Sequence, residues 1–229
     1  MSNGPRSGRR SALPLTISIL VVLGVIAVSL SSFYADFLWF RSVDYLQVWQ
    51  TTFFTRATLF ILTGLITALL VIANVFIAYR SRPVFAPLSI EADSLERYRS
   101  QIEPIKKVAI LGGSLAIFYF AGSAGSQLWR PWLIWQNSTP FGEKDPQFNL
   151  DISFFAFKLP FYQALIGWFI STIIIGLLAA AVVHYLYGGI RPQGPGDRTT
   201  VAARVQLSVL LGFIVLAKAV AYWFDRYAL

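Results

Sequence analysis

Three carboxylates and one amide lie within nine residues near the middle of the chain, at Glu143, Asp145, Asn149 and Asp151. Oxygen ligands of this kind bind hard cations such as Ca²⁺, and two carboxylates can act as general acid and base. The segment lacks the turn glycine and the regular alternation of ligands that define a calcium loop. We therefore predict no metal site, no cofactor and no enzyme activity, and keep Glu143, Asp145 and Asp151 as candidate functional residues.

A second candidate group is aromatic. Trp129, Trp132 and Trp135 recur at every third position, which on a helix places them along one slowly rotating stripe. Indole rings favour the interface between lipid and water. The spacing predicts a short amphipathic helix at the outer interface, where the rings anchor in lipid or pack against protein. Binding of a carbohydrate or lipid is the alternative.

Four further polar residues fall in or near apolar runs. Lys218 lies about two helical turns before Asp225, and an ionisable residue inside a span is a functional hypothesis by default. A lysine near a helix end can also extend its amine to the interface, which is the interpretation we favour. Asn74 predicts a hydrogen bond between helices. His184, the one histidine, is interpreted as an interfacial residue.

The elements that must position these residues are apolar runs of membrane-spanning length. The chain of 229 residues is 56% hydrophobic and only 13% charged, which is typical of a membrane protein. A hydrocarbon core about 30 Å thick needs roughly 20 apolar residues per helix. We predict an all-α polytopic transmembrane helix bundle with five spans, at 13–33, 57–79, 105–128, 161–186 and 201–224.

The rest of the organisation follows from these spans. Residues 1–11 form a basic tail that we expect to be disordered and cytoplasmic, and residues 12–229 form the bundle with an outer loop at 129–160. A solvated helix is predicted at 90–101. The third span is rich in small residues, and pairs four apart such as Gly122 and Ser126 predict close packing against another helix.

Charge predicts the orientation of the bundle. With a cytoplasmic N-terminus, the inner segments carry about twice as many Lys and Arg residues as the outer segments, as the positive-inside rule requires. All seven tryptophans then lie on the outer side. We expect a plasma-membrane protein with an extracytoplasmic C-terminus. The net charge of +8 lies mostly in short loops, so the expected partner is the lipid bilayer and not nucleic acid.

Several motifs resemble a bacterial family of large membrane proteins known as uncharacterised protein family 0182. They are Phe141-Gly142, Asp145-Pro146, Phe148, Asp151-Ile152, Phe154, Phe157, Leu159-Pro160-Phe161, Leu38-Trp39-Phe40 and the run from Tyr222 to Tyr227. The resemblance covers nearly the whole chain after the basic tail. It implies about seven N-terminal spans followed by a large extracytoplasmic domain, so that this chain resembles a truncated product, an engineered fragment or a fragmentary gene.

These observations give two functional expectations. The first is a membrane-anchoring module that positions an extracytoplasmic domain, with other membrane subunits or that missing C-terminal domain as its partners. The alternative is a transporter or channel component, suggested by Asn74, Lys218 and the glycine-rich third span.

Overall fold

The computed structural model describes residues 13–83, 103–191 and 198–227. Within these ranges the chain forms six α-helices and no strand, with two isolated β-bridges in loops. The helices are α1 (Leu13–Ser42), α2 (Leu46–Arg80), α3 (Lys106–Ser126), α4 (Trp129–Gln136), α5 (Leu159–Leu186) and α6 (Val201–Asp225). The predicted tail at 1–11 and the predicted helix at 90–101 lie outside the described residues.

Five of the helices are long and apolar enough to cross a membrane, all except the eight-residue α4. Large apolar side chains cover much of the surface; Val28, Phe120 and Val215 are each more than 60% exposed. Exposed apolar area of this extent is typical of a lipid-facing surface. The predicted all-α fold with five candidate spans is confirmed.

The chain divides into two compact units, residues 1–53 and 54–229, and α2 continues from one into the other. In the first unit, α1 extends beyond the predicted span because the aromatic segment that follows it is also helical. Phe33 lies 5.0 Å from Trp49, and Trp49 stacks on Phe53 at 5.4 Å between ring centroids. Asp44 has a φ of 61° in the short turn between the helices.

In the second unit, α2 and α3 approach through glycines. A Cβ atom at Gly64 would lie 2.6 Å from the carbonyl oxygen of Phe118, and one at Gly122 would lie 2.7 Å from that of Phe60. A Cβ at Gly125 would overlap Thr63. The close packing predicted for the small residues of the third span is confirmed at these positions, since no larger residue fits there.

The core of the second unit lies where α2, α5 and α6 meet. Ala78, Ile173, Ala180 and Leu210 form a buried cluster. Small side chains at Ala78 and Ala180 are fully buried, which lets the helices pack closely. Next to this cluster the hydroxyls of Thr67 and Thr172 are 3.1 Å apart, joining α2 to α5.

The α5–α6 connection is ordered at both ends. Gly188, with a φ of 72°, ends α5 in the left-handed conformation common after helix C-termini. Thr200 caps α6, its hydroxyl accepting a hydrogen bond from the Ala203 N–H at 3.3 Å. The Thr200 N–H in turn donates to the carbonyl of Gly189 at 2.8 Å, so the two helix ends are held together.

Candidate functional site

The tryptophan-rich helix is present but its rings separate into two groups. Trp132 and Trp135 pack on Phe161 of α5, at 5.5 and 4.9 Å between ring centroids. The Trp135 indole N–H donates to the Tyr162 hydroxyl at 3.4 Å. Trp129 instead lies under the guanidinium of Arg56 in α2, at 4.8 Å. All three are half-buried, so the helix packs against α2 and α5 through rings that serve as protein contacts.

The loop between α4 and α5, residues 137–153, is closed by one carboxylate, and we call it the clasp loop. Asp151 accepts hydrogen bonds from the backbone N–H groups of Phe141 at 3.1 Å, Gly142 at 3.0 Å and Ser153 at 2.8 Å. Gly142 has a φ of 80°, a conformation that turns two successive N–H groups toward one anion. A Cβ there would meet no atom within 4 Å, so the backbone conformation is what favours glycine.

These bonds favour the ionised carboxylate. Hydrogen bonds from the Ser153 hydroxyl and its backbone N–H, together with the Phe141 N–H, hold the pKa of Asp151 well below its usual range. The carboxylate is therefore ionised at neutral pH and accepts these hydrogen bonds.

Asp145 organises the tight turn inside the clasp loop. One of its oxygens accepts the N–H groups of Gln147 at 2.9 Å and Phe148 at 2.7 Å, and Pro146 supplies the fixed φ of the turn. Asn149 follows in the left-handed region with a φ of 54°, which asparagine tolerates. The Glu143 side chain is exposed, and only its backbone carbonyl enters the loop, accepting the Ile152 N–H at 3.0 Å.

The structure therefore does not bring the acidic candidates together as a chemical site. Both oxygens of Asp151 and one of Asp145 bond the loop's own backbone. No group of three His, Asp or Glu residues that could hold a metal ion exists in the described part of the chain. Asp145 and Asp151 instead fix the conformation of the clasp loop.

An aromatic cluster joins the clasp loop to the end of α6. Tyr227 lies 4.9 Å from Phe148, 5.4 Å from Phe154 and 6.1 Å from Phe155, between ring centroids. Phe154 begins a π-helical turn, Phe154–Lys158, in which the Leu159 N–H donates to its carbonyl. Pro160 has no N–H and so cannot donate the α-helical hydrogen bond to the carbonyl four residues earlier. The wider π-helical turn before α5 is consistent with this missing bond.

The two candidates on α6 lie apart from this cluster. Lys218 is exposed, and its amine lies 5.3 Å from the ring centre of Tyr222, one turn closer to the end of the helix. This position agrees with an amine that extends toward the interface. Asp225 is the exposed last residue of α6.

A chain of three polar side chains crosses the other end of the bundle, and only one of them, Gln206, was not singled out from the sequence. The Gln206 amide nitrogen donates to the Asn74 carbonyl at 3.0 Å and to its side-chain oxygen at 3.3 Å. Its oxygen lies 2.9 Å from His184 Nε2, and in this hydrogen bond Nε2 is the donor because a carbonyl oxygen only accepts. The helix–helix bond predicted for Asn74 is confirmed.

The position of His184 at the membrane interface stays a prediction, but its side chain is buried between helices. Only 1% of the residue is exposed, because Gln206 supplies a partner for its polar nitrogen between α5 and α6. Gln206 was missed since it lies near a helix end, where glutamine is unremarkable. Its position six residues after the Thr200 cap, at the start of an apolar run, was the available signal.

Comparison with known proteins decides the family. Residues 13–229 match the Uncharacterised protein family (UPF0182). The chain belongs to this family. A UPF0182 protein of Streptomyces coelicolor is 48% identical over 226 residues, which is 99% of this chain and 23% of that protein. A UPF0182 protein of Nocardioides is 46% identical over 98% of this chain and 22% of its own length. No solved structure matches the chain.

This UPF0182 chain thus spans less than a quarter of the curated relatives it matches. The predicted resemblance to the N-terminal region of the family is confirmed. The residues that carried it have structural roles here, since Asp145 and Asp151 shape the clasp loop while Phe148, Phe154 and Tyr227 pack together.

Proposed function

We propose that the chain is the membrane-anchoring module of a longer UPF0182 protein and that it orients an extracytoplasmic domain. The observation that carries the proposal is the aromatic cluster around Tyr227. Two residues after α6, this ring packs against Phe148 and Phe154 of the segment before α5. The chain therefore contacts the segment before α5 directly after α6 ends.

The strength of this contact supports an orienting role. Aromatic pairs contribute about 0.5–1.5 kcal/mol each beyond their buried area. Tyr227 makes one such pair with Phe148 of the clasp loop and two with Phe154 and Phe155 of the π-helical turn. Phe224 adds a fourth pair with Tyr162 of α5 at 5.6 Å. A simple tether would need only the apolar length of α6, whereas these contacts also hold Tyr227, two residues after the helix, in one position.

We further propose that the tryptophan end faces outward from the plasma membrane. The support is the distribution of charge, since Arg80, Arg82 and Lys107 lie at the opposite ends of α2 and α3. Cytoplasmic loops carry the excess of Lys and Arg in membrane proteins.

The absence of cysteine allows a direct test of this orientation. A single cysteine introduced as Glu143→Cys should react with a membrane-impermeant maleimide in intact cells. Arg198→Cys should react only after the cells are permeabilised. The opposite labelling pattern would refute the orientation.

The anchoring role itself is tested by the size of the native product. An antibody against the N-terminal tail should detect a membrane protein much larger than 25.6 kDa. A single native band at 25.6 kDa would overturn the anchoring proposal, because no further domain would then exist to be positioned.

A component of a transporter or channel is the second candidate, and the polar chain favours it. Asn74, Gln206 and His184 place hydrogen-bonding groups between apolar helices, and such groups in a membrane protein often mark a pathway. Proteoliposomes loaded with a pH-sensitive dye would reveal proton flux. Flux no greater than in protein-free vesicles, or flux unchanged by Gln206→Leu, would reject a proton pathway through this chain.

A further inference from the structure

Helices α2 and α3 touch toward the tryptophan end and separate toward the basic end. The glycine contacts described above, from Gly64 to Gly125, close the space between them. Farther along, a Cβ at Gly113 would meet no atom within 4 Å. The two helices therefore form a wedge that is closed at one end.

The open part of the wedge is an apolar groove with α5 as its third wall. Its volume is about 740 Å³. The lining residues lie between Val71 and Tyr79 on α2, between Ala109 and Ile117 on α3, and between Ile175 and Tyr187 on α5. Apart from Ser114 and the two tyrosines, every lining side chain is apolar or absent. The groove therefore suits a hydrocarbon ligand.

The length of the groove favours an acyl chain over a further membrane-spanning helix as its occupant. From Val71 to Tyr79 the α2 wall rises about 12 Å at 1.5 Å per residue, close to one leaflet of a core roughly 30 Å thick. Another membrane-spanning helix would need a surface about twice as long. An acyl chain from one leaflet needs only this depth.

The mouth of the groove carries a cation. The Arg82 guanidinium lies 4.3 Å from the ring centre of Tyr79 and 5.6 Å from that of Tyr187, which are themselves in edge contact at 5.1 Å. Stacking on a ring leaves the N–H groups at the edge of a guanidinium available to an anion.

The surroundings of this mouth are also positive. The described side chains at the end of α2, near the start of α3 and in the α5–α6 connection include six basic groups: Arg80, Arg82, Lys107, Arg191, Arg198 and Arg204. Over residues 80–107 and 188–204 the sequence has nine Lys and Arg residues against five Asp and Glu residues. An anionic headgroup is thus favoured over a zwitterionic one.

We propose that this groove binds one anionic phospholipid, with an acyl chain against α2, α3 and α5 and its phosphate bonded to Arg82. The proposal depends on the placement of the helices in a membrane but not on the anchoring role, so either can fail without the other.

The test is retention of lipid by the purified full chain. The protein is equilibrated in nanodiscs of phosphatidylglycerol and phosphatidylcholine in equal amounts, released into mild detergent and weighed by native mass spectrometry. One phosphatidylglycerol should remain bound in preference to phosphatidylcholine. Arg82→Gln should lower its retention about tenfold, the effect of losing one charge-assisted hydrogen bond. Arg80→Gln removes a neighbouring charge that is not stacked on the tyrosines at the mouth, so it should lower retention clearly less than Arg82→Gln does.

A second pair of variants tests the groove itself. Gly113→Leu fills the groove and should abolish retention of both lipids. Gly112→Leu is the matched control, because Gly112 also has open space around it but does not line the groove. Equal effects of the two leucines, equal effects of the two arginine variants, or no preference for phosphatidylglycerol would each overturn the proposal. A lipid-free dimer disrupted by Gly113→Leu would also overturn it and assign the groove to a second copy.

Discussion

In the clasp loop, the carboxylates of Asp145 and Asp151 bond backbone N–H groups no more than ten residues away. In the helix bundle, the Gln206 side chain bonds Asn74, 132 positions away, and Thr67 lies beside Thr172 across 105 positions. Polar groups in the loop therefore fix a local shape. Polar groups between helices fix which helices are neighbours.

The two regions also differ in what surrounds them. The clasp loop is largely exposed, and its bonds are made by an anion to its own backbone. Between the helices, glycines and alanines bring backbones together, and the buried polar groups of Thr67 and Gln206 bond partners on other helices, because apolar surroundings supply none. A change between helices should thus affect the whole bundle, and a change in the loop should stay local.

The largest expected effect is at the α2–α3 contact. Gly125→Leu forces a side chain into the space of Thr63 and should destabilise the folded protein by about 3 kcal/mol or more. Thermal aggregation in detergent would show a lower midpoint than for the parent chain. Gly112→Leu, which meets no neighbour, should leave the midpoint unchanged, and equal effects would contradict the glycine contact.

A smaller loss is expected when the polar chain is cut. Gln206→Leu leaves His184 and Asn74 without their partner and should cost about 1–2 kcal/mol. The double variant Gln206→Leu with His184→Leu should be less destabilised than the sum of the single variants, because one lost bond would otherwise be counted twice. Strict additivity of the thermal shifts would argue that the two residues act separately.

A third prediction concerns the clasp loop. Asp151→Asn removes the anion that holds Phe141 and Gly142 and should speed tryptic cleavage after the exposed Lys144 while leaving the bundle's thermal midpoint unchanged. Glu143→Gln is the control, since that side chain is exposed and holds none of the loop's bonds identified above. A lower midpoint for Asp151→Asn would show that Asp151 stabilises the helix bundle and not only the clasp loop.

The same carboxylate makes the loop sensitive to acid. The pKa of Asp151 is lowered in the folded state, so its stabilising effect is complete above the ordinary pKa of a free aspartate, about 4, and is lost only as pH falls below it. Hydrogen exchange at Phe141 and Gly142, corrected for its intrinsic pH dependence, should stay protected from pH 7 to about pH 4. Loss of protection nearer neutrality would contradict the role of Asp151.

The smallest effect is expected at Lys218. Its amine is exposed and interacts with the Tyr222 ring, a contact that contributes about 0.5–1 kcal/mol at most at such a site. Lys218→Ala should change the thermal midpoint less than Gln206→Leu does. A larger change would show that the amine has a buried partner in the native membrane.

Much of the fold was predictable because its signals are local. Apolar length indicated the spans, small residues four apart indicated the α2–α3 contact, and tryptophans three apart indicated α4. The role of the acidic cluster was harder to predict. Carboxylates that bind a cation and carboxylates that accept hydrogen bonds from backbone N–H groups can have the same spacing in the sequence. Whether Asp145 and Asp151 converge depends on φ values at Gly142 and Asn149 that composition does not specify.

The sequence by itself determined the all-α class and, for the part of the chain that the structure describes, the five membrane-length helices and the distinct loop before α5. Helix length and apolarity are properties of neighbouring residues. Only the tertiary structure decided that Gln206 joins Asn74 to His184, that Tyr227 packs on the clasp loop, and that α2 and α3 separate to leave a groove. Each of these depends on which distant side chains meet, and in an apolar solvent that is decided by close packing and by partners for buried polar atoms.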